Sequence, residues 1–444
     1  MERVIKIKKG LDIPLDGAAN GAPLEDKSTA LYGIVPDDYP GYVWKSRVKA
    51  GDKVKAGDRL LSDKDSDTVA LVSPVEGEVT EIRRGERRKI EAVVVRREGG
   101  FTSTLAVSMN DEQSIRAALK QSGLWAMMRQ RPFDVVPDAE ARPRDIYVTA
   151  FDSAPLAGKV VTDGMKKYLE KGLETLARLT SGKVYLAVRA EQGINSKAAE
   201  VLVMEGPHPA GNVGVQIAAT IPVNKGEIVW TLDGATACRI GRLATEGVAD
   251  YTAEVAVTGP AIKNPKIVAC GIGASMESLM QPFEPINGNN LRYISGNVLT
   301  GVRVDLKSGF LRWPYRQVTV IEEGDHADEF MGWASISPKK YSVKRSFPAF
   351  LRGLSKPFPF DARIKGGHRA MILSGEYDKV FPFDIYPEYL LKAIMAGDID
   401  KMEQLGIYEV APEDFALPEF VDTSKIELQK IVREGLDNLR KELS

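Results

Sequence analysis

Val48-Lys-Ala-Gly51-Asp52-Lys-Val54-Lys-Ala-Gly57-Asp58-Arg-Leu60 leads into Leu71-Val-Ser-Pro74-Val75-Glu-Gly77-Glu-Val79-Thr-Glu-Ile82, and the pattern runs on to Val95. These are short β-branched runs turned by glycine, with a charged stretch, Asp63-Lys-Asp65-Ser-Asp67, exposed as a hairpin between them. Val4 to Ile7 and Ile90 to Val95 read as further strands, and Pro36-Asp-Asp-Tyr-Pro-Gly41 as a loop. Residues 1–100 are therefore expected to form one all-β module.

A swinging-arm carrier of the biotinyl or lipoyl type needs this pattern and presents a modifiable lysine at the hairpin tip. Lys64 is the candidate, seven residues after Gly57 and ten before Pro74, whereas carriers place the lysine nearer the middle. Asp63 and Asp65 flank it, so a solvated turn is the better reading. The same turn imitates the start of a calcium loop, but Thr68 stands at the position that needs glycine and Pro74 at the one that needs a bidentate Glu.

At 444 residues the chain is too long for one core, and about three or four domains are expected. Sixty Lys and Arg balance sixty-one Asp and Glu, leaving no global field to recruit nucleic acid. Cys238 and Cys270, far apart and outside any CxxC pair, cannot supply an iron-sulfur cluster or a structural zinc site. No apolar h-region follows Met1, and no uninterrupted apolar run approaches a membrane span. The expected location is cytoplasmic, free or docked on a membrane partner.

Residues 101–252 turn to alternating helices and strands. A helix follows Asp111, Asp145 to Ala150 is a strand, and Leu169, Leu173 and Leu176 form a helical stripe. Val184 to Val188 and Val201 to Met204 are strands, and Asp233 caps a helix over Ala235 to Ala244. Such alternation predicts a parallel, Rossmann-like sheet. Residues 253–328 return to β texture, with strands expected at Glu254 to Val257, Ile267 to Cys270, Arg292 to Ile294, Val302 to Val304 and Gln317 to Ile321, and predict a β-grasp-like unit. Residues 329–380, rich in proline, aromatic and basic side chains, read as an extended arm. Residues 381–444 read as helical, with Ser424-Lys-Ile-Glu427 as a capping box opening the last helix.

Two glycine-rich stretches invite a phosphate reading. Gly206-Pro-His208-Pro-Ala-Gly211-Asn212-Val213 has P-loop spacing, but Asn212 and Val213 stand where Lys and Ser/Thr are required. Cys270-Gly271-Ile-Gly273-Ala-Ser-Met276 imitates a dinucleotide fingerprint, yet Met276 replaces its third glycine, and a turn is expected. His208, His326 and His368 lie too far apart for metal-ligand spacing. Arg83-Arg84-Gly-Glu-Arg87-Arg88-Lys89 reads as a solvated basic hairpin with no interleaved aromatic for nucleic acid.

Several collinear segments together resemble NqrA, the A subunit of the bacterial sodium-translocating NADH:quinone oxidoreductase. They are Ile5 to Ile13, residues 48–95, Glu205 to Gly211, Ile294-Ser-Gly-Asn-Val-Leu-Thr-Gly301, Phe330-Met-Gly-Trp333 and Phe383-Asp-Ile-Tyr-Pro-Glu-Tyr-Leu390. That family is similar to the C subunit of the Rnf complex and to the NADH-binding flavoprotein of complex I. The resemblance implies a biotinyl-lipoyl-like module, a Rossmann-like α/β domain, a β-grasp unit of the soluble-ligand-binding (SLBB) type and a C-terminal helical region.

It also implies a peripheral protein on the cytoplasmic side of the bacterial inner membrane, in a six-subunit complex that oxidises NADH, reduces ubiquinone or menaquinone and pumps sodium. Its implied partners are the membrane-embedded Nqr subunits, chiefly the B subunit. The flavin-binding relatives wrap FMN and NADH in a glycine-rich loop; here Ser122-Gly-Leu-Trp125-Ala-Met-Met128-Arg-Gln-Arg131-Pro-Phe133 is too bulky for that approach. Their cysteine cluster is absent from Leu417 to Asp422. NADH, FAD, FMN, riboflavin and 2Fe-2S are accordingly expected in partner subunits, and no catalytic acid/base set in this chain. A quinone cleft is expected between two stretches, with Trp125, Met128 and Phe133 on one side and Pro207, His208 and Gly211 on the other. The competing readings are a flavin-bearing electron-transfer protein of the Rnf C class and a lipoyl or biotinyl carrier.

Overall fold

The computed structural model describes residues 2–25, 29–286, 290–325, 340–344, 348 and 356–443. His326, Phe330 to Trp333, Phe347 and much of the expected 329–380 arm lie outside those residues.

The glycine-turned runs build two sheets around one core. The first orders its strands Leu31–Ile34, Ile90–Arg97, Gly77–Arg84 and Lys53–Val54; the second orders Trp44–Ser46, Arg59–Asp63 and Ala70–Val72. Alternation along these strands turns Leu60, Val79, Val93 and Val95 inward, all without accessible surface. Lys64 is exposed on the turn between the second and third strands of the smaller sheet. Asp63 organises that turn: its carboxylate accepts the backbone N–H groups of Ser66, Asp67, Thr68 and Val69 at 2.6 to 3.1 Å. Burial pushes the Asp63 carboxyl up, but these donors hold it below the usual range.

The amino-terminal strand departs from the expected grouping. Glu2–Lys6 leaves the β module and pairs in parallel with Glu200–Glu205. The reason is edge coverage: without it, the backbone groups along that strand would be open to solvent. Leu24–Glu25 likewise pairs with Val268 and Ala269 of a later sheet.

The central sheet reads Glu2–Lys6, Glu200–Glu205, Val184–Val188, Asp145–Thr149, Val229–Asp233, Arg129–Arg131. All are parallel except the last, which pairs antiparallel with Val229–Asp233. Helices Leu169–Leu176 and Gly234–Glu246 share a core with Ile146, Val148, Leu186 and Trp230. A side chain at Gly172 would collide with the Ala237 carbonyl, and one at Gly241 with that of Tyr168, so glycine sets how closely the two helices pack. The opposite sheet face, with Tyr147, Tyr185 and Leu202, holds Ile217 of the short helix Val213–Ala218. Asp233 caps its helix as expected, accepting from Thr236 N–H at 2.7 Å.

The next sheet orders Leu24–Glu25, Lys266–Gly271, Thr252–Thr258, Gln317–Glu322, Leu291–Ser295 and Val302–Val304, with a parallel pair at its centre. All five strand runs expected in this part form. The Gly271-Ile-Gly273 turn is a packing device. Gly33 N–H donates to the Gly273 carbonyl at 2.8 Å, Gly273 has φ of +79°, and a side chain there would collide with the Gly33 carbonyl. The β module is thereby pressed against this sheet.

Helices Pro387–Ala396, Ile399–Gln404, Ala416–Val421 and Leu428–Glu442 close a separate core around Phe381, Phe383 and Phe415. The expected capping box is not used. The last helix starts at Leu428, its N-cap Glu427 accepts no side-chain cap bond, and Ser424 Oγ donates instead to the Ala370 carbonyl at 2.9 Å. The helix buries Leu428, Val432, Leu436 and Leu439, leaving Ile426 and Ile431 half-buried at the rim.

Candidate functional site

The two halves of the expected cleft part company at the central sheet. Trp125 has no accessible surface; its Nε1 donates to the Pro137 carbonyl at 3.0 Å, and its ring meets Trp230 edge to face at 5.1 Å. Met128 is equally buried, in the same core as Ile146 and Val148. The helix that follows Gly211 packs on the other face of the sheet. Because successive side chains on a strand point to opposite faces, residues on these two sides cannot line one cleft. Trp125 and Met128 are core residues.

Pro207, His208 and Gly211 lie beyond the carboxyl ends of the parallel strands, where ligands of open α/β sheets commonly sit, whereas Arg131, level with Val229 and Asp145, and Phe133 after it lie at the amino ends. Phe133 packs beside Val215 and the C-terminal core. The His208 backbone N–H donates to Asp12 Oδ1 at 2.9 Å, and Ser153 Oγ lies 2.9 Å from His208 Nδ1. Gly211 N–H donates to Ser153 Oγ at 2.8 Å, and the hydroxyl keeps both a proton to donate to Nδ1 and a lone pair to accept from it. Buried His208 is held neutral: desolvation lowers its pKa, against the opposing fields of Asp152 and Asp12. Its Nε2 has no hydrogen-bond partner among the described residues.

The sequence reading missed the charged cluster gathered around Arg131. Arg131, at the end of the edge strand, reaches Glu413 Oε1 at 2.8 Å and Asp414 Oδ2 at 3.5 Å, with Asp134 Oδ1 at 3.8 Å. Asn212 Nδ2 donates to the Glu413 carbonyl at 3.3 Å, and a side chain at Gly214 would collide with the Asp414 carboxylate. Asp414 is fully buried, and desolvation pushes its pKa up to about 6 although Arg131 opposes the rise. Glu413 also titrates high. Burial is again the first cause, partly offset by Arg131 and reinforced by Asp414, Asp134 and Asp152, although 39% of its side-chain surface stays accessible. Arg131 Nε and Asp414 Oδ1 each lack a hydrogen-bond partner among the described residues. Buried donors and acceptors in this state favour a ligand or ordered water that offers both.

Elsewhere, a cavity of about 20 Å³ is lined by Tyr39, Gly123, Met127 and Tyr251, among others; it has room for a water and none for a ring. Among the described residues no group of three His, Cys, Asp or Glu is placed to hold a metal ion, and Cys238 and Cys270 are both buried free thiols. No helix among them is long and apolar enough to cross a membrane.

Comparison with known proteins covers the chain from end to end. Residues 5–98 match the NqrA N-terminal barrel-sandwich hybrid domain, 110–249 the NqrA second alpha/beta domain, and 254–305 the NQRA C-terminal domain of SLBB type. The A subunit of the Na(+)-translocating NADH-quinone reductase of Pasteurella multocida is 36% identical over 99% of this chain and 100% of its own length. Its counterparts in Hahella chejuensis and Neisseria meningitidis are 35% and 34% identical with the same coverage. Among solved structures, an NAD+-reducing [NiFe]-hydrogenase aligns over 75% of this chain and 61% of its own at 13% identity and a TM-score of 0.35, too weak to argue from. With such identity sustained along its whole length, the chain belongs to the NqrA family, the A subunits of Na(+)-translocating NADH-quinone reductases.

Proposed function

We propose that the chain serves as the NqrA component of a sodium-pumping NADH:quinone reductase, seated peripherally on the cytoplasmic side of the inner membrane against the B subunit of a six-subunit complex. The observation that carries this is 36% identity extending over 99% of the chain and all of the relative. Redox centres are assigned to partner subunits: two buried, separated cysteines cannot ligate a cluster, and Trp125 and Met128 fill the loop region where flavin-binding relatives keep glycine. A Rossmann-like α/β core and a β-grasp architecture accompany this reading, supported by the strand orders above.

The quinone pocket is assigned to Pro207, His208 and Gly211 at the carboxyl ends of the parallel strands, without Trp125, Met128 and Phe133. His208 Nε2, buried and without a hydrogen-bond partner among the described residues, supports this reading as a polar group able to fix a ligand's orientation. Complementation tests the first proposal. In a host deleted for its own NqrA, this gene should restore sodium-dependent NADH:quinone reductase activity in membranes, and the purified chain should show no flavin absorbance. A coloured chain, or failure to restore activity despite membrane incorporation, would overturn it. For the pocket, His208→Phe should weaken binding of a photoreactive quinone and Met128→Leu should not; equal labelling of both variants and wild type sinks the assignment.

A further inference from the structure

Residues 340–396 hold ten Lys and Arg against five Asp and Glu, a net of +5 within a chain whose net charge is −1. The same region exposes apolar surface. Of fourteen exposed large apolar side chains among the described residues, seven lie between Val343 and Met395. Scattered singly they would need no explanation; clustered beside unpaired cations they do.

Hydrogen bonds tie the segments that carry four of them. The Glu388 carboxylate, in the first turn of helix Pro387–Ala396, accepts the backbone N–H groups of Ser374 and Gly375 at 2.8 and 3.0 Å. That clamp anchors the segment just after Ile372 and Leu373 to the start of the helix where Tyr386 and Tyr389 stand, their rings edge to face at 6.1 Å. Ile372 is 57% exposed, Leu373 49%, Tyr386 70% and Tyr389 55%. Arg369 lies three residues before Ile372, and Lys392 one helical turn beyond Tyr389; neither pairs with a carboxylate among the described residues. Lys344 and Lys379 share the single carboxylate of Glu376.

We propose that this face, centred on Ile372, Leu373, Tyr386 and Tyr389 and rimmed by Arg369 and Lys392, binds the anionic headgroup plane of a phospholipid bilayer. Tyrosines suit the headgroup level, where a ring is buried and a hydroxyl stays wet; aliphatic side chains dip below it, and basic groups meet lipid phosphates above. A folded protein partner would be expected to demand carboxylate partners for those cations and a shaped groove, whereas headgroups supply mobile negative charge and need no groove. The inference rests on the peripheral-membrane reading but concerns lipid, not the partner subunits.

The test uses the full chain and sedimentation with vesicles of phosphatidylcholine alone or with phosphatidylglycerol. Binding is expected to the anionic vesicles, to weaken with salt, and to fall about tenfold in Leu373→Glu/Tyr389→Glu and about fivefold in Arg369→Glu. Ile221→Glu, at an exposed position on a different part of the chain, should bind as wild type does. Unchanged melting temperatures show that the variants fold. Absence of binding to anionic vesicles, or equal binding by all variants, overturns the proposal. So does a result in which Leu373→Glu/Tyr389→Glu loses only the detergent-solubilised membrane subunits, since the face would then be a protein interface. Complementation by the wild-type gene reports separately on the functional reading.

Discussion

Arg131 and Glu413, 282 residues apart, meet at 2.8 Å, and through this contact the edge strand of the central sheet holds the C-terminal helices. Asp414 and Asp134 crowd the same guanidinium. Replacing Arg131 with Met would leave carboxylates buried without their counter-ion. The expected cost at neutral pH is about 2–4 kcal/mol, at the lower end of a broken buried ion pair because Glu413 can reach water. Urea unfolding of variant and wild type measures it, and the deficit should shrink in acid as the carboxyls take up protons.

The pH dependence has a defined sign. Asp414, pushed up to about 6, and Glu413, raised as well, bind protons in the folded state at pH values where the unfolded chain has lost them. Their contribution to stability is therefore greatest below the ordinary carboxylate range and falls as pH rises toward and past about 6. Melting temperature followed upward from mildly acidic to mildly basic buffer should decline, and Asp414→Asn should flatten that decline. A wild-type profile that rises through this window would refute the assignment.

His208, its pKa lowered by burial, should stay neutral through the physiological range. Nitrogen chemical shifts of the imidazole report the protonation state directly. Ser153→Ala removes the partner of Nδ1 and should cost about 1 kcal/mol.

Trp125→Ala is expected to act on stability rather than on quinone. Loss of a fully buried indole packed against Trp230 should cost about 3–5 kcal/mol. Any remaining folded variant should keep the wild-type KM for quinone. A selective rise in KM with unchanged stability would return Trp125 to the binding site.

Gly273→Val tests the junction between the β module and the sheet behind it. A branched side chain at φ of +79°, facing the Gly33 carbonyl, should cost about 2–4 kcal/mol. Thermal unfolding should show it.

What could be read in the sequence followed local periodicity. The glycine-turned valine runs, the Asp233 cap and the five strands between Thr252 and Glu322 all carry their signal within a few residues, and all form. The failures were contacts between distant residues or faces. Val4-Ile5 alternates like any strand, and nothing local says that its neighbour is Val203-Met204 rather than the β module. Trp125 and His208 looked like two walls of one cleft because sequence proximity to loops does not tell which face of a sheet each side chain occupies. Arg131 stood inside a stretch already under suspicion, but its importance depends on carboxylates at 413 and 414 that only the folded chain brings near. The Ser424 capping box failed because Ala370 offered Ser424 a tertiary partner.

The pairing of Glu2–Lys6 with Glu200–Glu205 also fixes an order of events during synthesis. Glu2–Lys6 must wait, unpaired, until about two hundred further residues have emerged. During that interval the glycine-turned module can close on its own, so the nascent chain carries a finished domain ahead of an open sheet. A bulky fusion placed before Glu2 would burden a strand that docks late, slowing maturation without touching any residue of the pocket.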